Sequence, residues 1–419
     1  MRHTLYNVLL LLTTPVIVLY LALRPKYHPL LNRFYPHLPT LNTKPIWVQA
    51  ASVGEVITAK PFILALKKAY PEIPILLTSG TATGMQEALS YSDEFHVAWF
   101  PLDHPWVVRS FFKRLSPRCL VLIETELWPN VLHRAHQSQT PVVIVNGRLS
   151  EKHFSKYLKH REFIRSYLTP ITLAMMQSPL DAERIETLGV LKDSIKVTGN
   201  IKFDGAALEA DPEGVATLRA ELGLTPDSQI LVFGSTRPGE EAMFIEPWRQ
   251  LKSIFPQLCL IIAPRHLKRL SEATEAFTGE VIHTRSALAQ SGQKVAPGEV
   301  ILLDTLGELK SVYALATIAL VGGSFSPDVQ GHNPIEPAAL GIPTVFGPHM
   351  KNFLHPASIL TQCEGVIQVN DPATLVPTLQ ALLQDESARV RMGARAQAAV
   401  RENQGAIERS LEMMRDLLN

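Results

Sequence analysis

No aspartate or glutamate occurs in the first 54 residues, although Arg2, Arg24, Lys26, Arg33 and Lys44 do. An uncompensated basic segment of this kind suits anionic lipid headgroups or phosphorylated ligands. Cysteine is nearly as scarce. Cys119, Cys259 and Cys363 are isolated, odd in number and form no Cys-x-x-Cys pair, which excludes a disulfide framework and a structural zinc site and fits a reducing compartment. The net charge of +1 over 419 residues gives no overall attraction to nucleic acid, and none is expected as a partner. Internal repeats and low-complexity tracts are missing. So are a Gly-x-Ser-x-Gly elbow, a Walker lysine loop and a Gly-x-Gly-x-x-Gly after the first strand. His133 and His136 lie three apart on an expected helix without a carboxylate partner, so a helix face is favoured there and no metal is expected.

An uncharged run is present instead. "TLYNVLLLLTTPVIVLYLAL", 4–23, has about the 20 residues that a bilayer core requires. Pro15 interrupts it, so a kinked span and a shallow interfacial anchor both fit. A cleaved signal peptide fits less well, because "LRPKYHP" follows where a small-x-small site would stand. The basic residues on the C-terminal flank place the rest of the chain in the cytoplasm by the positive-inside rule.

Beyond the anchor, 46% hydrophobic and 19% charged residues describe a globular protein with room for two domains. Short β-branched runs alternate with amphipathic stretches. In the first half they are "PIWVQAAS", "PILLTSG", "HVAWFP", "CLVLIE", "PVVIVNG" and "ITLAMMQS"; in the second, "ILVFGST", "CLIIAPRH", "VILLD", "TIALVGGS" and "IPTVFGP". Continuous apolar runs between helices imply parallel strands in βαβ units. The polar stretch 203–214 is the natural boundary, and 372–419 reads as helical. The expectation is an α/β protein: an anchor at 1–25, a doubly wound domain at 26–205 and a second at 206–419, facing each other across a cleft.

Ligands of such sheets bind beyond the carboxyl ends of the strands. Those ends read Ser52-Val53-Gly54-Glu55, Glu124-Thr125-Glu126, Asn146-Gly147-Arg148, Gly199-Asn200-Ile201-Lys202, Gly234-Ser235-Thr236, Pro264-Arg265-His266 and Gly322-Gly323-Ser324. Small residues there let backbone N–H groups approach a ligand. Glu55, the first acid of the chain, stands in a tight turn after the first strand. The stretch 321–348 adds a Gly-rich loop, then Asn333-Pro334 at a helix start with Glu336 in the first turn. Glu336 suits either the helix dipole or the ribose hydroxyls of a nucleotide.

With these residues assembled, the chain resembles the 3-deoxy-D-manno-octulosonic acid (Kdo) transferases of lipopolysaccharide biosynthesis. "SVGE", "IETELWPN", "TGNIKFD", "STRPGEE", "APRH", "DTLGEL" and "QGHNPIE" carry the likeness in that order, from near the anchor almost to the C-terminus. The resemblance implies a B-type glycosyltransferase with two Rossmann-like domains and a C-terminal helix crossing back to the first. It implies transfer of Kdo from CMP-Kdo to a lipid A precursor (lipid IVA) with inversion, at the cytoplasmic side of the inner membrane and without a cofactor. Glu55 would be the general base. Glu124 and Lys202 would stabilise the transition state, the carboxylate beside the sugar ring and the ammonium beside the departing phosphate. Pro264, Arg265, Leu306, Gly307, Glu308, Asn333, Pro334, Ile335 and Glu336 match segments that bind CMP. The basic run 151–165 and the apolar stretch 106–112 are candidates for seating the acceptor.

Two positions depart from the family's pattern: Arg237 stands where His is frequent, and Gln330 where Gly is frequent. Other readings on the same architecture are a lipid A disaccharide synthase, a nucleotide-sugar epimerase and a membrane-bound sensor without turnover. The pairing of "SVGE" with "ETELWPN" speaks against the first two, and the presence of Glu55 against the third.

Overall fold

The computed structural model describes residues 2–418. They form two compact units, one running to Gly205 and resuming at Gln404, the other spanning Ala206–Asn403.

The first unit is built on seven parallel strands: β1 (Ile46–Gln49), β2 (Ile75–Ser79), β3 (His96–Trp99), β4 (Cys119–Ile123), β5 (Val142–Gly147), β6 (Leu173–Met176) and β7 (Ile195–Val197). Their order is β3-β2-β1-β4-β5-β6-β7. β1 is apolar on both faces because both are covered. Ile46 and Val48 pack with Phe62, Ile63 and Leu66 of helix α2 (Val53–Ala69), and Trp47 packs on the other side with Phe100, Phe111 and Phe112. The Trp47 indole donates to Thr78 Oγ1 at 2.8 Å, so this bulky core residue leaves no stranded donor.

The last helix, Ala406–Leu418, belongs to this unit and not to the second domain expected at 206–419. Its Ala406, Met414 and Leu418 join the α2 side of the core. Asp204 fixes its start, accepting from the N–H groups of Gly405 (2.8 Å), Ala406 (3.3 Å) and Ile407. An aspartate at a helix N-terminus satisfies donors that have no partner within the helix.

The second unit repeats the plan with β8 (Gln229–Thr236), β9 (Leu258–Pro264), β10 (Ile282–Thr284), β11 (Val300–Leu302), β12 (Ile318–Val321), β13 (Thr344–Phe346) and β14 (Val366–Gln368). All pairs are parallel, in the order β10-β11-β9-β8-β12-β13-β14. Each sheet therefore has a point where the connections change direction, between β1 and β4 in the first and between β8 and β12 in the second. A crevice opens beyond the strand ends at such points.

The Trp106–Phe112 stretch is mostly core. Trp106 is exposed, but Val108, Phe111 and Phe112 are buried, so the apolar surface this stretch offers an acceptor is mainly the Trp106 ring.

Candidate active site

At the first switch point Gln49 pairs with Leu122, so the chain leaving β1 and the chain leaving β4 emerge side by side. The turn expected around Ser52–Gly54 is the first turn of α2. Ser52 is its N-cap and Glu55 its third residue. Glu55 Oε1 accepts from the Ser52 hydroxyl at 2.9 Å and Oε2 from the Ala51 N–H at 2.8 Å. This is a variant of the Ser-x-x-Glu capping box, so the side chain does cap its helix. It does more than that. Burial, then the charge of Glu126 and, more weakly, of Glu124 raise its pKa to about 7 against the pull of the Ala51 and Ser52 bonds. No acid precedes Glu55 in the chain, and the fold supplies two from β4.

Glu124 begins the loop after β4 with φ +60°, a left-handed conformation that costs a non-glycine residue about 1 kcal/mol. Its N–H donates to the Val145 carbonyl at 2.9 Å, which ends the ladder and releases Thr125 and Glu126 from the sheet. Glu126 Oε2 accepts from the Trp128 indole at 2.8 Å. Burial holds the Glu126 carboxyl above its ordinary range, opposed by the Trp128 bond and by Arg33 and reinforced by Glu124. Arg33 lies over the rings of Phe100 and Trp128, 5.9 and 5.7 Å from their centroids, a cation–π arrangement. Its Nε and Nη1 donate to the carbonyls of Phe100 and Gly80, each at 3.2 Å.

Lys202 follows an edge strand, yet it reaches the centre of the sheet. The segment after β7 turns back across the neighbouring strand ends, held by three bonds. Thr198 N–H donates to Met176 at 3.0 Å, Asn200 Nδ2 to Gln177 Oε1 at 3.0 Å, and Ile201 N–H to Asn146 Oδ1 at 3.1 Å. Asn146 is itself left-handed, φ +59°. Lys202 thereby comes within electrostatic range of Glu124, Arg148 and Glu55. Burial lowers its pKa, Glu124 and Glu55 resist that, and Arg148 adds to it. Backbone strain held in place by a side-chain network is frequent at functional sites. Glu55, Glu124 and Lys202 thus converge. Glu126 and Arg33 complete the group and were not singled out from the sequence, although Glu126 is the second acid of "ETE".

The second switch point carries the opposite charge. After β8 the chain is left-handed at Ser235 (φ +59°) and continues into Arg237. Arg237 Nε donates to His332 Nε2 at 2.9 Å, and its Nη1 meets His266 Nε2 at 3.1 Å. Burial, with Arg237, Arg265 and His266 around it, pushes His332 down to about 4, so the ring is neutral and accepts. Gly323, φ +68°, has no room for a side chain: a Cβ would stand 2.7 Å from the His332 ring. Glu240 pins this loop from below. Its carboxylate accepts from the N–H groups of Gly323 (2.7 Å), Arg237 (2.9 Å) and Phe325 (3.0 Å).

Pro264 ends β9, and the exposed Arg265 follows, its N–H on the Thr236 carbonyl at 3.1 Å. Pro334 sits at the N-cap of the short helix Ile335–Ala339, one residue earlier than N1. Asn333 Oδ1 accepts from Ile335 N–H at 3.0 Å and its Nδ2 donates to Glu336 Oε1 at 3.1 Å. Burial raises the Glu336 pKa, while Asn333, Lys310 and Arg265 oppose it, which ties Glu336 to Arg265. Leu306 and Gly307 are exposed, and a Cβ at Gly307 would meet nothing within 4 Å. The Glu308 carboxylate is taken up by Thr305 and by Arg285 at 3.1 Å. Gln330, φ +67°, occupies a left-handed position that glycine fills without strain.

Residues 29–205 match the family described as 3-Deoxy-D-manno-octulosonic-acid transferase (kdotransferase). The 3-deoxy-D-manno-octulosonic acid transferase of Haemophilus influenzae is 32% identical, over 99% of this chain and 98% of that one. Among solved structures, a glycosyltransferase from Rickettsia africae superposes with a TM-score of 0.58 at 12% identity, covering 90% of this chain and 100% of that one. The UDP-GlcNAc 2-epimerase of Neisseria meningitidis gives 0.58 at 14%, covering 89% and 100%. At such identities these two show the fold alone: a B-type architecture shared by transferases and epimerases. The near end-to-end likeness to a named transferase is what decides the family. This chain belongs to the 3-deoxy-D-manno-octulosonic acid transferase family and is a glycosyltransferase.

Proposed function

We propose that the enzyme transfers Kdo from CMP-Kdo to a hydroxyl of the lipid A precursor, with inversion, and that Glu55 is the general base. The observation that carries this is the Glu55 carboxyl, with its pKa near 7 beside Glu126 and Glu124. A base poised near the working pH combines the right protonation state with proton affinity. The acceptor oxygen attacks the anomeric carbon as the bond to the CMP phosphate breaks. The hydroxyl proton passes to Glu55, and CMP leaves with the bonding pair. One base and one displacement give inversion.

Glu124 stabilises positive charge on the sugar ring, and Lys202 stabilises negative charge on the departing phosphate. On the second unit Arg265 offers a planar fork to the phosphate, and Glu336 with Asn333 offers acceptors and a donor to the nucleoside. Leu306–Glu308 continues that surface through backbone that no side chain covers at Gly307. The acceptor is an anionic lipid, so the enzyme works at the inner membrane with both units on the cytoplasmic side. Its apolar helix α1 (Arg2–Ala22) and basic N-terminal segment hold it there.

The test is radiolabelled Kdo transfer to tetraacylated lipid A precursor by wild type, Glu55→Ala and Glu55→Gln, with CMP binding measured in each. Both variants are expected to bind CMP and to lose transfer by about 10²–10⁴-fold. Full transfer by Glu55→Gln would move the base elsewhere, first to Glu124. A wild type that binds CMP-Kdo and transfers nothing would make the protein a sensor.

A further inference from the structure

α1 is long and apolar enough to cross a membrane, and by composition alone it is a single span. Its contacts contradict a crossing. Near its N-terminal end, Tyr6 donates its hydroxyl to Asp103 Oδ2 at 2.8 Å, and His3 Nδ1 shares a 2.7 Å hydrogen bond with the Tyr167 hydroxyl. Beyond its C-terminal end the chain turns at once. Tyr27 stacks on Tyr20 with centroids 5.9 Å apart, and His28 Nε2 meets the Ala22 carbonyl at 2.9 Å. The 3-10 segment Pro25–Arg33 then returns to the root, where the Arg33 carbonyl accepts from Leu102 N–H at 2.8 Å. Leu102 adjoins Asp103. The outgoing arm therefore starts, and the returning arm ends, within one residue of the same point on the first unit.

We infer that residues 3–33 form a hairpin that enters one leaflet and leaves it on the same side, a monotopic insertion into an anionic lipid surface. From Tyr6 to Ala22 the helix rises about 24 Å, less than the roughly 30 Å of a hydrocarbon core. The return arm covers only about 18 Å as a 3-10 segment and carries Lys26, His28 and Asn32, which belong at headgroup level. The exposure of α1 follows the same logic. Leu5, Leu9, Leu12, Val16, Leu19 and Leu23 recur at alternating spacings of four and three and are 54–71% exposed. The opposite stripe, Tyr6, Leu10, Thr14, Val18 and Leu21, is partly covered. Val8, Leu11, Ile17 and Tyr20 are exposed as well, so α1 offers apolar surface around most of its circumference, and Arg24, Lys26 and two tyrosines at its far end suit the headgroup level. The root also touches chemistry, because Arg33 is the cation packed on Trp128 beside Glu126.

The inference rests on the proposed membrane attachment, and its test separates the two. In a Cys363→Ser background Cys119 and Cys259 remain, both fully buried. Single cysteines replace Thr4, Leu12, Lys26 or Glu364, all exposed positions, and each variant is required to retain transfer. A membrane-impermeant maleimide is applied to inner-membrane vesicles of either orientation. Positions 4, 26 and 364 are expected to label from one face only, within about twofold of one another, and position 12 from neither until detergent is added. Labelling of position 4 from the face opposite to 364 would make α1 a single span and overturn the hairpin, leaving the attachment intact. Labelling of position 12 as fast as 364 in intact vesicles of either orientation would overturn insertion, and the membrane attachment with it.

Discussion

The two switch points are topologically alike and electrically opposite. In the first unit the chains leaving β1 and β4 bring three carboxylates together, with Lys202 and Arg33 as their cations. In the second, those leaving β8, β9 and β12 bring Arg237, Arg265 and two imidazoles together. Carboxylates occur in both, in different employment. Glu240 accepts three backbone N–H bonds and serves as a strut for its loop. Glu55 accepts one backbone and one hydroxyl bond, and like charges press on it. Strand order decides where a crevice opens. The loop sequences decide which charge it takes, and whether a buried acid is tied up by backbone donors or pressed toward neutral pH by like charges.

The comparison breaks most sharply at Glu55. Its replacement by Gln is expected to lower transfer by about 10²–10⁴-fold while CMP binding stays as in wild type, checked by parallel transfer and calorimetric assays. A loss of both would mean that the charged groups of the two units do not act independently.

Next is Arg237. Arg237→Ala is expected to weaken CMP binding about tenfold, by removing a cation near Arg265 and the bonds that hold His332 and His266. It also removes a neighbour that holds His332 down, so the His332 ring should titrate above its value of about 4, as followed by NMR. An unchanged titration would mean that burial, Arg265 and His266 depress that ring without Arg237.

Glu126→Gln tests the like-charge pressure in the first unit. Glu126 is the largest charge effect on Glu55, so its neutralisation is expected to move the acid limb of the rate profile down by about one pH unit. In the wild type that limb should fall about tenfold per unit below pH 7. Stability follows the same charge. The folded Glu55 pKa of about 7 lies above its ordinary 4.5, so the fold binds this proton more tightly than the unfolded chain and ionisation opposes folding. The handicap is absent below 4.5 and grows as the pH rises toward 7. Glu55→Gln should therefore melt higher than wild type at pH 8 and level with it at pH 4 by calorimetry.

The smallest effect is expected at Gln330. Gln330→Gly places a permissive residue at φ +67° and should stabilise the protein by about 1 kcal/mol in urea unfolding, with transfer unchanged. A destabilised variant would show that the Gln330 side-chain bond to Pro327 outweighs the strain.

Much of this was legible in the chain because buried parallel strands are continuous apolar runs. Eleven such runs were read, from "PIWVQAAS" to "IPTVFGP", and each holds one of the observed strands. The three strands that escaped, β7, β10 and β14, are three-residue sheet edges, partly exposed, where too few apolar residues are needed to leave a pattern. The convergence of Glu55, Glu124 and Lys202 was legible only through family motifs. Nothing in "GNIK" says that the segment doubles back from β7 to Asn146, since that path is fixed by bonds between residues 55 positions apart. The return of the final helix to the first unit was likewise expected only through the resemblance, since residues 203–214 mark a boundary without showing that the chain crosses back.

Asp204 has one further consequence, for the order in which the chain matures. The aspartate that follows Lys202 by two positions holds the start of a helix about 200 residues later. During synthesis most of the first unit emerges before the second, and the face of its core that Ala406, Met414 and Leu418 cover is sealed only after the second unit has been made. The second unit is complete before then. Newly made protein thus passes through a state in which the second unit has all its residues while the first still lacks the helix Ala406–Leu418 that covers the α2 side of its core.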